Sequence, residues 1–91
     1  MEIKILYHPL VIEKDIPRLD TTIKKKVISA IERKLMTAPT IFGLPLRKTL
    51  ARCWKLRVED WRIIYDINKR NVRILTIGHR SEVYKVALKR I

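Results

Sequence analysis

Between Cys53 and Ile77 the chain keeps a two-residue rhythm. Cys53–Val58 and Trp61–Ile67 alternate or run apolar, and Val72–Ile77 follows. Only Glu59-Asp60 separates the first two runs, and residues 68–71 separate the last two. Strands joined by links this short have no room for a crossover, so they lie as antiparallel neighbours. A chain of 91 residues holds one modest core. The remaining segments must therefore pack around this meander, and residues 1–91 are read as one domain.

Residues 2–8, EIKILYH, place Ile3, Ile5 and Tyr7 at alternate positions and predict a short strand. Pro9 suits a first helical position, and a short helix is expected from there to about Leu19, with Pro17 disrupting its end. Asp20 reads as the N-cap of a longer helix, with Thr21 or Thr22 as rivals. In that helix Ile23, Val27, Ile31 and Leu35 recur near helical spacing, and the helix is expected to stop near Met36, before Pro39. Lys24, Lys25, Lys26, Arg33 and Lys34 fall on its other side, as a solvated face. Pro39, Gly43 and Pro45 mark a loop, with a short extended piece at Leu46–Leu50. Ser81 is expected to cap a last helix with Val83, Val86, Ala87 and Ile91 on one side. The predicted order is β-α-α-β-β-β-α. The expected fold class is α+β, a small, mainly antiparallel sheet with an N-terminal helical hairpin and a C-terminal helix, the helices on one face.

Composition narrows the function. Twenty-one Lys and Arg against nine Asp and Glu leave a net charge of +12. Residues 1–43 carry eight basic and five acidic side chains, whereas residues 44–91 carry thirteen and four. Such an excess points to a polyanionic partner, met mainly by the second half. Hydrophobic residues at 47% exclude intrinsic disorder. No apolar run reaches the ~18 residues of a membrane span, and the N-terminus lacks a signal-peptide core. A single cysteine, Cys53, makes neither an internal disulfide nor a Cys-based zinc site. The cytoplasm is the expected compartment.

If Glu59-Asp60 is a two-residue turn, Val58 faces Trp61, Arg57 faces Arg62, Lys55 faces Ile64 and Trp54 faces Tyr65. Parity then puts Trp54, Leu56, Val58, Trp61, Ile63 and Tyr65 on one face, which is the core face. Cys53, Lys55, Arg57, Arg62, Ile64 and Asp66 take the other, expected to be exposed. Like charges directly opposite are destabilising by up to about 1 kcal/mol. Arg57 against Arg62 is therefore explained best by an anion held between them, and the guanidinium fork suits phosphate. Arg80 and Tyr84 sit where the last strand passes into the last helix, a place that also favours phosphate. Other constellations are weak. His8 and His79 have no metal-ligand spacing, Glu13/Asp15 and Glu59/Asp60 read as surface acids, and Cys53 as an apolar filler. Walker, GxGxxG, GxSxG, HExxH and CxxC motifs are absent.

The stretches WKLRVEDWRIIYDI and RILTIGHRSEVYKVALKRI resemble the RelE/ParE toxin superfamily, closest to its RelE branch. HPLVIEKDIPRL, AIERKL and GLPLRK fit the same pattern, so the resemblance covers almost the whole chain. It implies the toxin of a type II toxin–antitoxin system, a metal-free ribonuclease without cofactor that enters the ribosomal A site and cuts messenger RNA. The implied partners are a cognate antitoxin, which forms a hetero-oligomer with the toxin, and the ribosome with its mRNA. The ribose 2′-oxygen attacks the adjacent phosphate and the 5′-oxygen leaves. Matched one by one, the family's catalytic positions fall on Lys55, Arg57, Arg62, Arg80 and Tyr84. Arg57, Arg62 and Arg80 would clamp the phosphate, Lys55 would act as base or electrostatic support, and Tyr84 would stack on a base or take the 2′-OH proton. His79 is a further candidate acid or base. The superfamily's ParE branch, a non-enzymatic inhibitor of DNA gyrase, is the alternative, together with an inactive relative.

Overall fold

A computed structural model describes residues 2–91. Its sheet has five strands: β1 (Lys4–Tyr7), β2 (Leu44–Pro45), β3 (Cys53–Val58), β4 (Trp61–Asn68) and β5 (Asn71–His79). They lie in the order β1-β5-β4-β3-β2. The β3-β4-β5 meander is antiparallel, and so is the short β2 against β3, while β1 alone runs parallel to its neighbour β5. The predicted α+β class and mainly antiparallel sheet are both observed. The strand expected over residues 2–8 is shorter, and the extended piece expected at Leu46–Leu50 is instead β2 followed by a 3-10 turn at Lys48–Leu50.

The helical segments follow the sequence signals closely at the N-terminal end. After Pro9 the chain makes a π-helical turn, Val11–Asp15, and a 3-10 turn, Ile16–Arg18. Pro17 lacks the N–H that a regular helix needs at that point. Helix α1 (Thr21–Ala30) starts at Asp20, whose Oδ1 accepts the Ile23 N–H at 2.9 Å. This settles the N-cap in favour of Asp20. The helix continues through a π-helical turn, Ile31–Leu35, and closes at Met36. Pro39 opens the short helix α2 (Pro39–Phe42) inside the expected loop. Helix α3 (Val83–Arg90) begins at Glu82 with no side-chain cap, so Ser81 is not the expected cap. Ile91 stays exposed.

One sheet face carries Leu56, Ile63, Tyr65, Val72, Ile74 and Ile77 against Val11, Val27, Ile31 and Leu35 of the N-terminal helices. Burying each of these larger side chains contributes about 1.5–3 kcal/mol. Tyr65 is fully buried there, and its hydroxyl donates to the Pro39 carbonyl at 2.7 Å. The other face is not left to solvent. α3 packs on it, and Val83 and Ala87 form a second cluster with Leu50, Cys53, Ile64 and Leu75. The expectation of helices on one face is thus corrected. Ile64 and Cys53 give the reason, because two apolar side chains on the supposedly polar face need a cover.

A bulge in β5 completes this arrangement. Ile64 pairs with Thr76 but Tyr65 pairs with Ile74, so Leu75 is the extra residue. The insertion reverses the alternation. Ile74 and Ile77 both face the N-terminal helices, while Leu75 turns to α3.

Candidate functional site

The β3–β4 turn has the predicted two residues, and the register has Val58 opposite Trp61, Arg57 opposite Arg62, Lys55 opposite Ile64 and Trp54 opposite Tyr65. Glu59 takes a φ of 56° to close it. Lys55, Arg57 and Arg62 therefore share the α3 face, beyond the part that the helix covers. Gly78 stands opposite Arg62 on β5, so no side chain competes for the space beside the guanidinium. An added Cβ there would meet Val83 at 3.4 Å.

Both arginines reach the same atom. Arg62 Nη1 donates to the Glu59 carbonyl at 2.9 Å, and Arg57 Nε to the same oxygen at 3.4 Å. Arg62 Nη1 also donates to the Trp61 carbonyl at 2.9 Å. Among the described residues no carboxylate neutralises them. The Glu59 carboxylate pairs with Lys26 of α1, and Asp66 pairs with Arg73 at 2.7 Å. Among the described residues, Lys55, Arg57 and Arg62 form no salt bridge. Three cations thus gather around neutral carbonyls, an arrangement with capacity left for an anion.

Tyr84 joins the cluster from α3. It is half-buried beside the second core, and Lys55 Nζ lies 5.9 Å from its ring centroid, within cation–π range. Arg80 is brought to the turn by its backbone, whose N–H donates to the Asp60 carbonyl at 2.8 Å. Its Nε is 3.8 Å from Asp60 Oδ1, with both side chains more than 60% exposed. An ion pair so open contributes little and leaves the guanidinium available. His79 is placed differently. It pairs with Trp61 in the register, on the core face, and its ring meets the indole edge-on at 5.7 Å. Its Nδ1 accepts the Ser81 N–H at 3.2 Å and lies 2.8 Å from Ser81 Oγ. The structure therefore brings together Lys55, Arg57, Arg62 and Tyr84, sets Arg80 at the rim, and turns His79 to the opposite side.

One acid differs from the sequence reading. Asp15 is not a surface acid but is buried against Arg90. Its position among apolar residues of the opening helical segment, with Val11 and Ile16 nearby, was the available signal. Cys53 is buried as expected, and burial, helped by Asp66 and opposed by Arg73 and Arg52, pushes its thiol up. It is a packing residue rather than a nucleophile. Among the described residues no group of three or more His, Cys, Asp or Glu comes together to hold a metal. No helix among them is long and apolar enough to cross a membrane.

The α+β fold, with its sheet covered on both faces and a cationic cluster beside a tyrosine, belongs to a sequence that matches a class of toxins. The family model described as the ParE toxin of a type II toxin–antitoxin system, parDE, matches residues 5–84. The chain belongs to this family, within the RelE/ParE toxin superfamily. Solved structures agree in fold. The toxin–antitoxin complex RelBE2 from Mycobacterium tuberculosis matches with a TM-score of 0.80 and 26% identity, over 88% of this chain and 100% of that one. A mutant of the Escherichia coli toxin RelE in the free state gives 0.76 and 20%, over 100% and 99%. The RelB–RelE antitoxin–toxin complex from Methanococcus jannaschii gives 0.69 and 17%, over 88% and 95%. No curated protein matches in sequence.

Proposed function

We propose that the protein is a ribosome-dependent endoribonuclease that cuts messenger RNA in the A site and so inhibits translation. The observation that carries this reading is the pairing of Lys55 with Tyr84 beside two arginines that have no carboxylate partner. Arg57 and Arg62 bind the scissile phosphate from the hairpin, and Arg80 closes on it from the rim. The guanidiniums stabilise the charge that develops as the 2′-oxygen attacks phosphorus. The 2′-hydroxyl gives its proton to the phenolate form of Tyr84 or the free-amine form of Lys55. The P–O bond to the 5′-oxygen breaks, and that oxygen takes up a proton from solvent, so that no net proton is gained or lost. The products are a 2′,3′-cyclic phosphate and a 5′-hydroxyl, and no metal is required.

A site built from a few side chains on one small domain grips RNA weakly and with strong salt dependence. The ribosome supplies the positioning. Comparing cleavage of one messenger, free and in translating ribosomes, tests this. Cleavage confined to the ribosomal sample is expected, and equal rates in both overturn the dependence.

The antitoxin supplied in the cell is expected to be an acidic extended or helical segment lying on the cationic surface, forming a toxin–antitoxin hetero-oligomer. Solved relatives occur as such complexes. Binding that weakens with salt is the expected result, and tight, salt-independent binding of a basic partner contradicts it. A second reading, non-enzymatic inhibition of DNA gyrase, draws on the family model, which is described by the ParE toxin. Loss of gyrase supercoiling without messenger cleavage favours it.

A further inference from the structure

The most deeply buried charges lie away from the cationic cluster. Arg90, in the last turn of α3, meets Asp15 of the opening helical segment fork to fork, with Nη1–Oδ2 at 2.6 Å and Nη2–Oδ1 at 3.0 Å. Their side chains are 7% and 5% exposed. Arg90 Nη1 also donates to the Leu75 carbonyl at 3.0 Å. Asp15 Oδ2 accepts from Thr76 Oγ1 at 3.1 Å and from the Ile77 N–H at 2.9 Å. β1 pairs with β5 only as far as Ile74, so this pair serves backbone groups that have outrun β1. Helical segments on opposite faces of the sheet are thereby joined around the edge of β5, at its bulge.

What the pair holds is α3. This eight-residue helix starts without a side-chain cap, and its only fully buried apolar residues are Val83 and Ala87. A helix that short is marginal by itself, and two small side chains fix its orientation poorly. Its far end is set by Arg90, and Tyr84 rides on the same helix. We propose that Asp15 and Arg90 are positioning residues for Tyr84: their ion pair fixes α3 on the sheet and so keeps the phenol beside Lys55. The consequence for cleavage rests on the nuclease reading, whereas the docking of α3 does not.

The test uses Asp15→Asn and Arg90→Lys in the full chain, since lysine cannot reproduce the two-pronged contact. Amide hydrogen exchange follows α3 and the sheet separately, and single-turnover cleavage on programmed ribosomes is measured with Tyr84 and with Tyr84→Ala. The amides of α3 are expected to exchange roughly 10²-fold faster while β3, β4 and β5 stay protected. Cleavage is expected to fall about 10-fold with Tyr84 in place and to change little in the Tyr84→Ala background. Unchanged protection of α3 in both variants overturns the proposal, whatever the cleavage rate. Equal losses in both Tyr84 backgrounds also overturn it, because the pair then acts on the fold at large. If Asp15→Asn loosens the sheet as well, Arg90→Lys, which keeps the charge, decides by the same criteria. Faster exchange of α3 in a protein that cleaves nothing supports the docking role and counts against the nuclease reading alone.

Discussion

Arg57 and Arg62 face each other across β3 and β4 with only carbonyl oxygen between them. This is a local liability that a bound phosphate, as proposed, would relieve. Arg62→Ala and Arg80→Ala should each slow cleavage by about 10²–10³, the scale of losing one donor to a developing oxyanion. Neither should lower the melting temperature much, because the Glu59 carbonyl released by Arg62 is exposed to water. Unfolding of Arg62→Ala, or cleavage at the wild-type rate, would show that the phosphate role is misassigned. Tyr65 behaves in the opposite way. Its hydroxyl is buried on the Pro39 carbonyl, and a Cβ on Gly43 would stand 1.7 Å from the Tyr65 hydroxyl oxygen. Gly43→Ala should therefore destabilise by more than the ~1 kcal/mol typical of substitutions. Burial pushes the Tyr65 phenol up from 10.0 to about 12. The folded state keeps a proton that the unfolded chain gives up near pH 10, so this stabilisation is intact below pH 10 and is lost as pH rises towards 12. Denaturant melts at pH 9 and 11 should show a shallower loss in Tyr65→Phe than in wild type. Parity along β3 and β4 exposed the three hairpin cations in the sequence. Asp15 escaped because its apolar neighbours only hint at burial and its partner lies 75 positions away in the chain.

The meander is the element that the sequence specifies best. Two-residue links leave one register, and apolar alternation fixes which face is inward. Lys69, first of the two β4–β5 turn residues, holds a φ of 58°, and Glu59 holds 56° in the other turn. Lys69→Gly should raise stability by up to about 1 kcal/mol, since glycine enters this region without steric cost. A lower melting temperature for that variant contradicts the turn geometry. Asp20→Ala should cost about 1 kcal/mol by freeing the Ile23 N–H at the start of α1. Three features of the elements were not legible. The bulge at Leu75 leaves no mark, because β5 is covered on both faces and reads as continuously apolar. The start of α3 at Glu82 was obscured by Ser81, a better capping residue that is held instead by His79. The face chosen by α3 depended on Ile64 and Cys53, two apolar residues among cations, which gave a weaker signal than the charges around them.

For the whole molecule, charge and fold have to be explained together. The net +12 repels itself in the folded chain. Among the described residues few of the cations are neutralised by carboxylates, and one deeply buried ion pair joins α3 to the opening helical segment. The surplus near the hairpin is what a polyanion at a catalytic phosphate site would balance. Superfamily membership was legible because WRIIY falls on β4, and IGHRSEVY runs from the end of β5 through the junction into α3. The choice between RNA cleavage and gyrase inhibition is a property of the site's chemistry, and fold alone does not make it. That choice is tested most directly by the ends left on a messenger after a single turnover on programmed ribosomes. A cut within the A-site codon, leaving a 2′,3′-cyclic phosphate and a 5′-hydroxyl, is the predicted result. An intact messenger, or a cut leaving a 5′-phosphate, contradicts it.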